Sequence, residues 1–197
     1  MTERSDPRIA RTDRALESAI LELAAGRPVS TITVADLTEA AGISRATFYN
    51  RHDSPLELLI GVLTADLERC HRREERWRAR TDAGSPSPSP EEALRVTTGD
   101  VIDHVARFAE IYRQAIDDPA DRGVYAALVR DFADYALEFM AQSTNPDIPA
   151  ANRGIAAQFL AHGFAGAIAA WLREEGPTTR DDLLDAVVAC APAWWSR

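Results

Sequence analysis

Apolar side chains recur at every third or fourth position along most of this chain, which is the spacing of a helix that buries one face. No segment alternates apolar and polar residues in the way of a half-buried strand. The sequence therefore predicts an all-α protein. The apolar stripes that mark its helices run through residues 9–24, 34–41, 56–70, 94–116, 125–139, 155–171 and 183–194.

The run TVADLTEAAGISRATFYNRH predicts two short helices joined by a tight turn. Thr33 is placed to cap the first helix, and Gly42 is placed to end it with a positive φ, which costs glycine least. Ser44 can cap the second helix, and Ile43 and Phe48 have the spacing of a hydrophobic staple. With the first apolar stripe, this pair predicts an N-terminal three-helix helix-turn-helix domain, followed by a C-terminal helical bundle.

The outward face of the second of these helices has the chemistry of a base-reading surface. If Phe48 faces inward, a step of 100° per residue places Ala46, Thr47, Tyr49 and Asn50 on the far side. Arginine pairs with guanine and asparagine with adenine in the major groove, and a slim residue lets the helix approach. The alternative is an ordinary solvated helix. The predicted base-reading residues are Arg45, Ala46 and Asn50.

The pattern A-G-I-S-x-x-T-F-Y-N, followed by L-x-L-L, resembles the DNA-binding domain of the tetracycline-repressor (TetR) family over about the first 70 residues. The resemblance implies an all-helical, homodimeric and ligand-responsive transcription factor, usually a repressor. Two positions depart from the family pattern: His52 replaces an aromatic residue, and Pro55 replaces a lysine that helps to hold a DNA phosphate. The predicted phosphate contacts are Thr33, Thr47, Tyr49 and Arg51, with Arg51 or His52 substituting for that lysine.

Charge is distributed unevenly between the two parts of the chain. The formal net charge is −9, which by itself argues against binding to nucleic acid. Residues 1–52 nevertheless contain seven Arg and seven Asp or Glu, so the whole excess of acid follows residue 52. Because screening confines charge effects to about 10 Å, local charge decides phosphate contact, and the acidic remainder disfavours non-specific DNA.

Composition divides the chain into four predicted parts. Residues 1–53 form the helix-turn-helix domain, and residues 54–80 form a connecting helix with a charged, solvated end. Residues 81–90, with three Ser-Pro pairs, form a linker that cannot continue a helix, and residues 91–197 form the ligand-binding and dimerisation domain. The polar residues 1–8, with Arg4 and Arg8, are either a solvated tail or an arm that reaches DNA.

The last two helices are apolar on more than one face and must be covered. A row of small residues lets two helices approach closely, and large aromatic residues nearby can anchor an interface. Covering by a second copy predicts a two-fold homodimer that reads a roughly palindromic site; covering by the chain's own bundle is the alternative. The predicted dimer residues are Phe159, Gly163, Ala167, Ala170, Trp171, Val187 and Trp194.

Polar groups that lie on otherwise apolar stripes are the candidates for a small-molecule pocket, because such groups can orient a mainly apolar ligand. Taken singly, each of them is more simply explained as a hydrogen-bonded core residue or a partly exposed edge residue. His104, Asp131 and His162 have no metal-ligand spacing, and the two cysteines, Cys70 and Cys190, form no metal or disulfide pattern. No cofactor is predicted. The candidate pocket residues are His104, Phe108, Tyr112, Tyr125, Asp131, Tyr135 and His162.

These patterns together predict a cytoplasmic DNA-binding regulator that binds operator DNA as a homodimer and senses a largely apolar small molecule. The start TERSDPR lacks the apolar core of a signal peptide, and residues 155–172 are better read as a buried helix than as a membrane span. No phosphate-binding loop, dinucleotide turn or nucleophile elbow indicates an enzyme. The alternatives are a DNA-binding dimer without an effector, and a helical-bundle enzyme or scaffold.

Overall fold

The computed structural model describes residues 7–81, 89–143, 145–174 and 178–195, without the side chains of residues 7 and 73–81. Most of the predicted N-terminal arm, including Arg4, lies outside the described residues. So do residues 82–88 of the predicted Ser/Pro linker.

Helices account for most of the described chain, and none of its residues forms a strand, which confirms the predicted all-α class. Two short 3₁₀ turns, Val29–Thr31 and Pro119–Asp121, lie between helices. The α-helices are α1 Pro7–Gly26, α2 Val34–Ala41, α3 Arg45–Tyr49, α4 Pro55–Thr81, α5 Pro90–Arg107, α6 Ala109–Asp117, α7 Arg122–Gln142, α8 Arg153–Arg173 and α9 Arg180–Cys190.

Side-chain caps explain why several helices begin where they do. The hydroxyl of Ser54 accepts a hydrogen bond from the Glu57 amide at the start of α4. Capping boxes open α5, from Ser89 to Glu92, and α9, from Thr179 to Asp182. Each box satisfies backbone amides that the first turn of a helix leaves without a partner.

The stripe over residues 94–116 was predicted to be one helix, but the structure breaks it in two. The backbone leaves the helical conformation at Phe108, with φ −109° and ψ 27°, and α6 begins one residue later. No glycine or proline lies at this point, and the spacing of apolar residues continues unchanged across it, so the sequence does not indicate that the helix breaks here.

The chain forms two compact units, and the polypeptide passes from one unit to the other three times. The head unit contains Met1–Leu63 and Glu110–Tyr125, and the body unit contains Thr64–Ala109 and Ala126–Arg197. This division differs from the predicted boundaries at residues 53, 80 and 90, because the head unit also includes the stretch after the Phe108 break.

The head unit has a core in which α1 packs against α2. Side chains from α1, α2, α3 and α4 are fully buried there. A long-range contact also holds the 3₁₀ turn Val29–Thr31: the buried carboxylate of Asp121 accepts hydrogen bonds from the amides of Val29, at 2.8 Å, and Ser30, at 2.9 Å. The core side chains of this unit include Leu16, Ile20, Leu37, Phe48 and Leu59.

The body unit contains a buried charged network between α4 and α5. Asp66 accepts hydrogen bonds from Nδ1 of the fully buried His104, at 2.7 Å, from Arg69, at 2.6 Å, and from Arg107, at 3.1 Å. Burial acts to raise the pKa of Asp66, but these hydrogen bonds hold it below its usual value. Burial lowers the pKa of His104, so a neutral imidazole donates to the carboxylate.

Helix α8 is long and apolar enough to cross a membrane by length and composition, and within the part of the chain that was described it is the single such helix. A third of its apolar window is buried in the body unit. Its buried residues, among them Ala157, Ala161, Ala165 and Ile168, recur at helical spacing. The core helix of a helical bundle has the same properties.

Candidate nucleic-acid interface and ligand cavity

The turn between α2 and α3 has the geometry that its sequence predicts. Thr33 accepts a hydrogen bond from the Asp36 amide at 3.1 Å, and Asp36 accepts one from the Thr33 amide at 3.0 Å. The backbone hydrogen bonds that Asp36 accepts there lower its pKa. Gly42 ends α2 in the left-handed conformation, with φ 67°, and Ser44 caps α3 by accepting from the Thr47 amide.

Helix α3 buries one side chain and presents the others. Phe48 is fully buried, whereas Arg45, Ala46, Tyr49 and Asn50 are exposed. Tyr49 is 60% exposed, an unusually high value for a tyrosine. The predicted base-reading residues are therefore all accessible to solvent and lie within one stretch of six residues.

The helix is shorter than the pattern suggests. Its five residues end at Tyr49, and Asn50 is the C-terminal cap, with its amide bonded to the Ala46 carbonyl at 3.1 Å. The amides of Arg51 and His52 both bond to the Phe48 carbonyl, which winds the chain tightly after the helix. Asn50 thus extends from the end of α3 rather than from its middle.

Most of the predicted phosphate contacts already have polar partners within the head unit. Arg51 forms an ion pair with Asp13 of α1 at 2.5 Å, and Nδ1 of His52 lies 3.1 Å from Glu57 of α4. The hydroxyl of Thr47 is 2.8 Å from that of Ser44. Arg51 therefore reaches a phosphate only by sharing or exchanging Asp13.

The body unit contains a partly open cavity of about 400 Å³, which suits a small organic molecule. Side chains from α4, α5, α7, α8, α9 and the residues after α9 line it, and most of them are apolar. Thr97 does not offer its hydroxyl hydrogen, since it donates to the Ala93 carbonyl at 2.9 Å. The bulky residues of the lining include His71, Phe132, Tyr135, Phe159, Phe164 and Trp195.

Solved structures of bacterial regulators share this architecture over nearly the whole chain. FadR, a fatty acid degradation regulator from Bacillus halodurans, matches at 13% identity with a TM-score of 0.61, covering 95% of both chains. FadR from Thermus thermophilus, a TetR-family repressor in complex with lauroyl-CoA, has a TM-score of 0.61 at 18% identity, covering 90% of this chain and 91% of that one. The chain adopts the TetR-family fold.

A third regulator with this TetR-family fold is NalD, the secondary repressor of the MexAB-OprM multidrug efflux pump in Pseudomonas aeruginosa. It has a TM-score of 0.57 at 18% identity, with 91% of this chain and 94% of that chain covered. These neighbours are regulators rather than enzymes. No protein-family model and no curated protein sequence matches the chain.

Within the TetR-type body, the predicted pocket residues are dispersed. Tyr135 lines the cavity, and His162 lies in a separate shallow groove on α8. His104 is bonded to Asp66, and Phe108 packs edge-on against the His104 ring at 5.0 Å. Tyr112 and Tyr125 belong to the head unit.

Asp131 does not line the cavity itself but lies behind a residue that does. Its Oδ2 atom is 3.8 Å from Nε2 of His71, and the His71 ring stacks on Tyr135 with centroids 4.5 Å apart. Sequence reasoning missed His71, because it begins a highly charged run that reads as a solvated surface. A signal was present: His71 lies four residues after the buried Leu67 and so continues the apolar stripe of α4.

The predicted dimer residues of α8 follow an exposed apolar face. Phe159 is 78% exposed, Ile155 on the same face is 71% exposed, and Gly163 and Ala170 are also exposed. Large apolar side chains at this exposure indicate an interaction surface. The remaining predicted residues, Ala167, Trp171, Val187 and Trp194, are half-buried.

Proposed function

We propose that this protein is a cytoplasmic transcriptional repressor that binds operator DNA as a homodimer and responds to a largely apolar small molecule. The observation that carries the proposal is the exposed face of α3, where an arginine, an asparagine and a tyrosine surround the slim Ala46. A buried Phe48 and two side-chain caps hold this face in place. TetR-type neighbours that are repressors support the same assignment.

In this proposal Arg45 pairs with a guanine and Asn50 with an adenine, while Ala46 permits close approach to the major groove. Thr33, Thr47, Tyr49, Arg51 and His52 are the proposed contacts to phosphate. Contact between Arg51 and a phosphate requires its pair with Asp13 to be shared or broken, which lowers the affinity for specific and non-specific DNA alike.

Replacing Arg45 by alanine is expected to cost about 1–3 kcal/mol of binding to the operator and to relax specificity at one base pair. The measurement is fluorescence anisotropy with fragments of the DNA upstream of the protein's own gene, each with single-base substitutions. Arg130→Ala, which removes an exposed arginine from α7, is the control for the loss of one positive charge. An equal loss on operator and random DNA would make Arg45 a phosphate contact instead.

The exposed face of α8 is the proposed dimer interface, and it packs against the same face of a second copy. Two heads related by a two-fold axis would read a roughly palindromic site. Phe159→Glu places a charge at this face and is expected to shift the protein from dimer to monomer in sedimentation at micromolar concentration. Val96→Glu, which changes an exposed valine on α5, is the matched control and should leave the dimer intact. A dimer that persists in Phe159→Glu would place the interface elsewhere.

The cavity of the body unit is the proposed effector site. A ligand changes DNA binding only if it binds the two conformations of the protein with different affinity. Helix α4 is the proposed route, because it lines the cavity through His71 and continues into the head unit through Leu59 and Leu63. The complex of the Thermus thermophilus neighbour with lauroyl-CoA supports an effector with a long apolar part.

A further inference from the structure

The His71–Asp131 pair gives one end of the cavity an acidic character. The Asp131 side chain is 9% exposed, and its Oδ2 atom accepts no hydrogen bond from any described residue. Nε2 of His71 lies 3.8 Å from this atom, which is too long for a hydrogen bond. A buried carboxylate oxygen in this state is costly unless a donor or a cation reaches it.

We propose that the cavity selects lipophilic cations, with the positive group at the His71–Asp131 end and the apolar part among the aromatic side chains. The inference rests on the effector role proposed above and names the chemical class of the effector. It goes beyond the acyl-CoA complex of the structural neighbour, since coenzyme A carries phosphates and a carboxylate lies directly behind this end of the cavity.

Charges near Asp131 support a cation at this point. Burial is the main cause that raises the pKa of Asp131 to about 7. The negative charges of Asp134 on α7 and Glu68 on α4 raise it further, because they disfavour a second negative charge nearby. Glu68 is partly neutralised by Arg72 at 3.2 Å, in an exposed pair. His71 is the one basic side chain among the described residues of the lining. An anionic ligand would face this acidic group, whereas a cation would relieve it.

The aromatic walls favour the same class of ligand. Phe132 packs on Phe164 with ring centroids 4.5 Å apart, and Tyr135 stacks on His71 next to Asp131. Faces of aromatic rings attract ammonium groups and also cover the apolar part of a ligand. The cavity thus combines ring surfaces that bind organic cations with a carboxylate behind His71 whose Oδ2 atom accepts no hydrogen bond from a described residue.

Three probes with the same twelve-carbon chain isolate the effect of charge: dodecylammonium, dodecanol and dodecanoate, each below its micelle concentration. Isothermal titration of the full-length protein is expected to show dodecylammonium binding about tenfold more tightly than dodecanoate. Asp131→Asn keeps the shape and should remove about tenfold of the dodecylammonium affinity, while dodecanol is unchanged. Glu138→Gln, at an exposed position on the same helix and not among the acids that raise the pKa of Asp131, is the control and should change each affinity by less than about twofold.

Dodecyltrimethylammonium, whose charge does not depend on pH, tests the carboxylate directly. Its affinity is expected to rise between pH 6 and pH 8 as Asp131 loses its proton, and Asp131→Asn, which retains His71, Glu68, Arg72 and Asp134, should remove that rise. Tighter binding of dodecanoate than of dodecylammonium, or equal cation affinity in Asp131→Asn and the wild type, would overturn the proposal. Titration without DNA and operator binding by anisotropy are separate measurements, so failure of cation selectivity is distinguished from failure of the regulatory function.

Discussion

Replacing Asp121 by alanine is expected to lower the free energy of unfolding by about 3 kcal/mol. The carboxylate of Asp121 is buried and accepts hydrogen bonds from the Val29 and Ser30 amides, 91 to 92 residues away in the chain. Its removal leaves two backbone donors without an acceptor, one of them buried, and each such donor costs about 1–3 kcal/mol. Urea denaturation followed by circular dichroism measures the difference.

A neighbouring aspartate provides the control for this experiment. Asp118 caps the 3₁₀ turn that contains Asp121, with its carboxylate accepting from the Ala120 amide at 2.8 Å, and it makes this contact at an exposed site. Asp118→Ala is expected to cost about 1 kcal/mol or less, as a local cap does. Equal losses in the two variants would show that the long-range contact of Asp121 adds nothing to stability.

Stability is also expected to fall by as much as about 4 kcal/mol between pH 4 and pH 8 because of Asp131 alone. Burial raises the pKa of Asp131 to about 7 in the folded protein, from a usual value of 3.8. Between these values the folded state keeps a proton that the unfolded chain releases, so stability decreases as pH rises and the full penalty is present above pH 7. Water that enters the cavity would reduce the magnitude but not change the sign.

Asp131→Asn isolates this contribution, since an amide does not titrate in this range. The variant is expected to become more stable than the wild type as pH rises from 5 to 8, in paired urea denaturation curves at each pH. Glu138→Gln should follow the wild type, because Glu138 is exposed and is not among the groups that raise the pKa of Asp131. Parallel curves for the wild type and Asp131→Asn would mean that Asp131 has an ordinary acidity in the folded protein.

The features that the sequence predicted correctly are those fixed by nearby residues. Thr33 and Ser44 cap their helices, and Gly42 takes the left-handed conformation, because each depends on backbone groups within four positions. The inward position of Phe48 and the exposed face of α3 follow from the helical period in the same way. The all-α class then follows from the sum of these local preferences.

The features that were missed depend on contacts between distant parts of the chain. No local pattern joins Asp121 to Val29, or places His71 beside Asp131, because periodicity records which face a residue occupies and not what it meets there. The break at Phe108 has no glycine or proline to mark it. Of the seven candidate pocket residues, Tyr135 is the one that lines the 400 Å³ cavity, since an apolar stripe does not distinguish a packed core from a void.

The three crossings between the compact units affect how hybrid regulators should be assembled from this protein. A chimera that joins residues 1–63 to a foreign sensor would omit the 110–125 stretch, and with it the acceptor for the Val29 and Ser30 amides. Such a splice would also expose the side of α4 where Leu56 and Ile60 lie against Gly123. A sounder design exchanges the segments 64–109 and 126–197 together. It keeps residues 1–63 and 110–125, so the contact between Asp121 and the Val29 and Ser30 amides is retained.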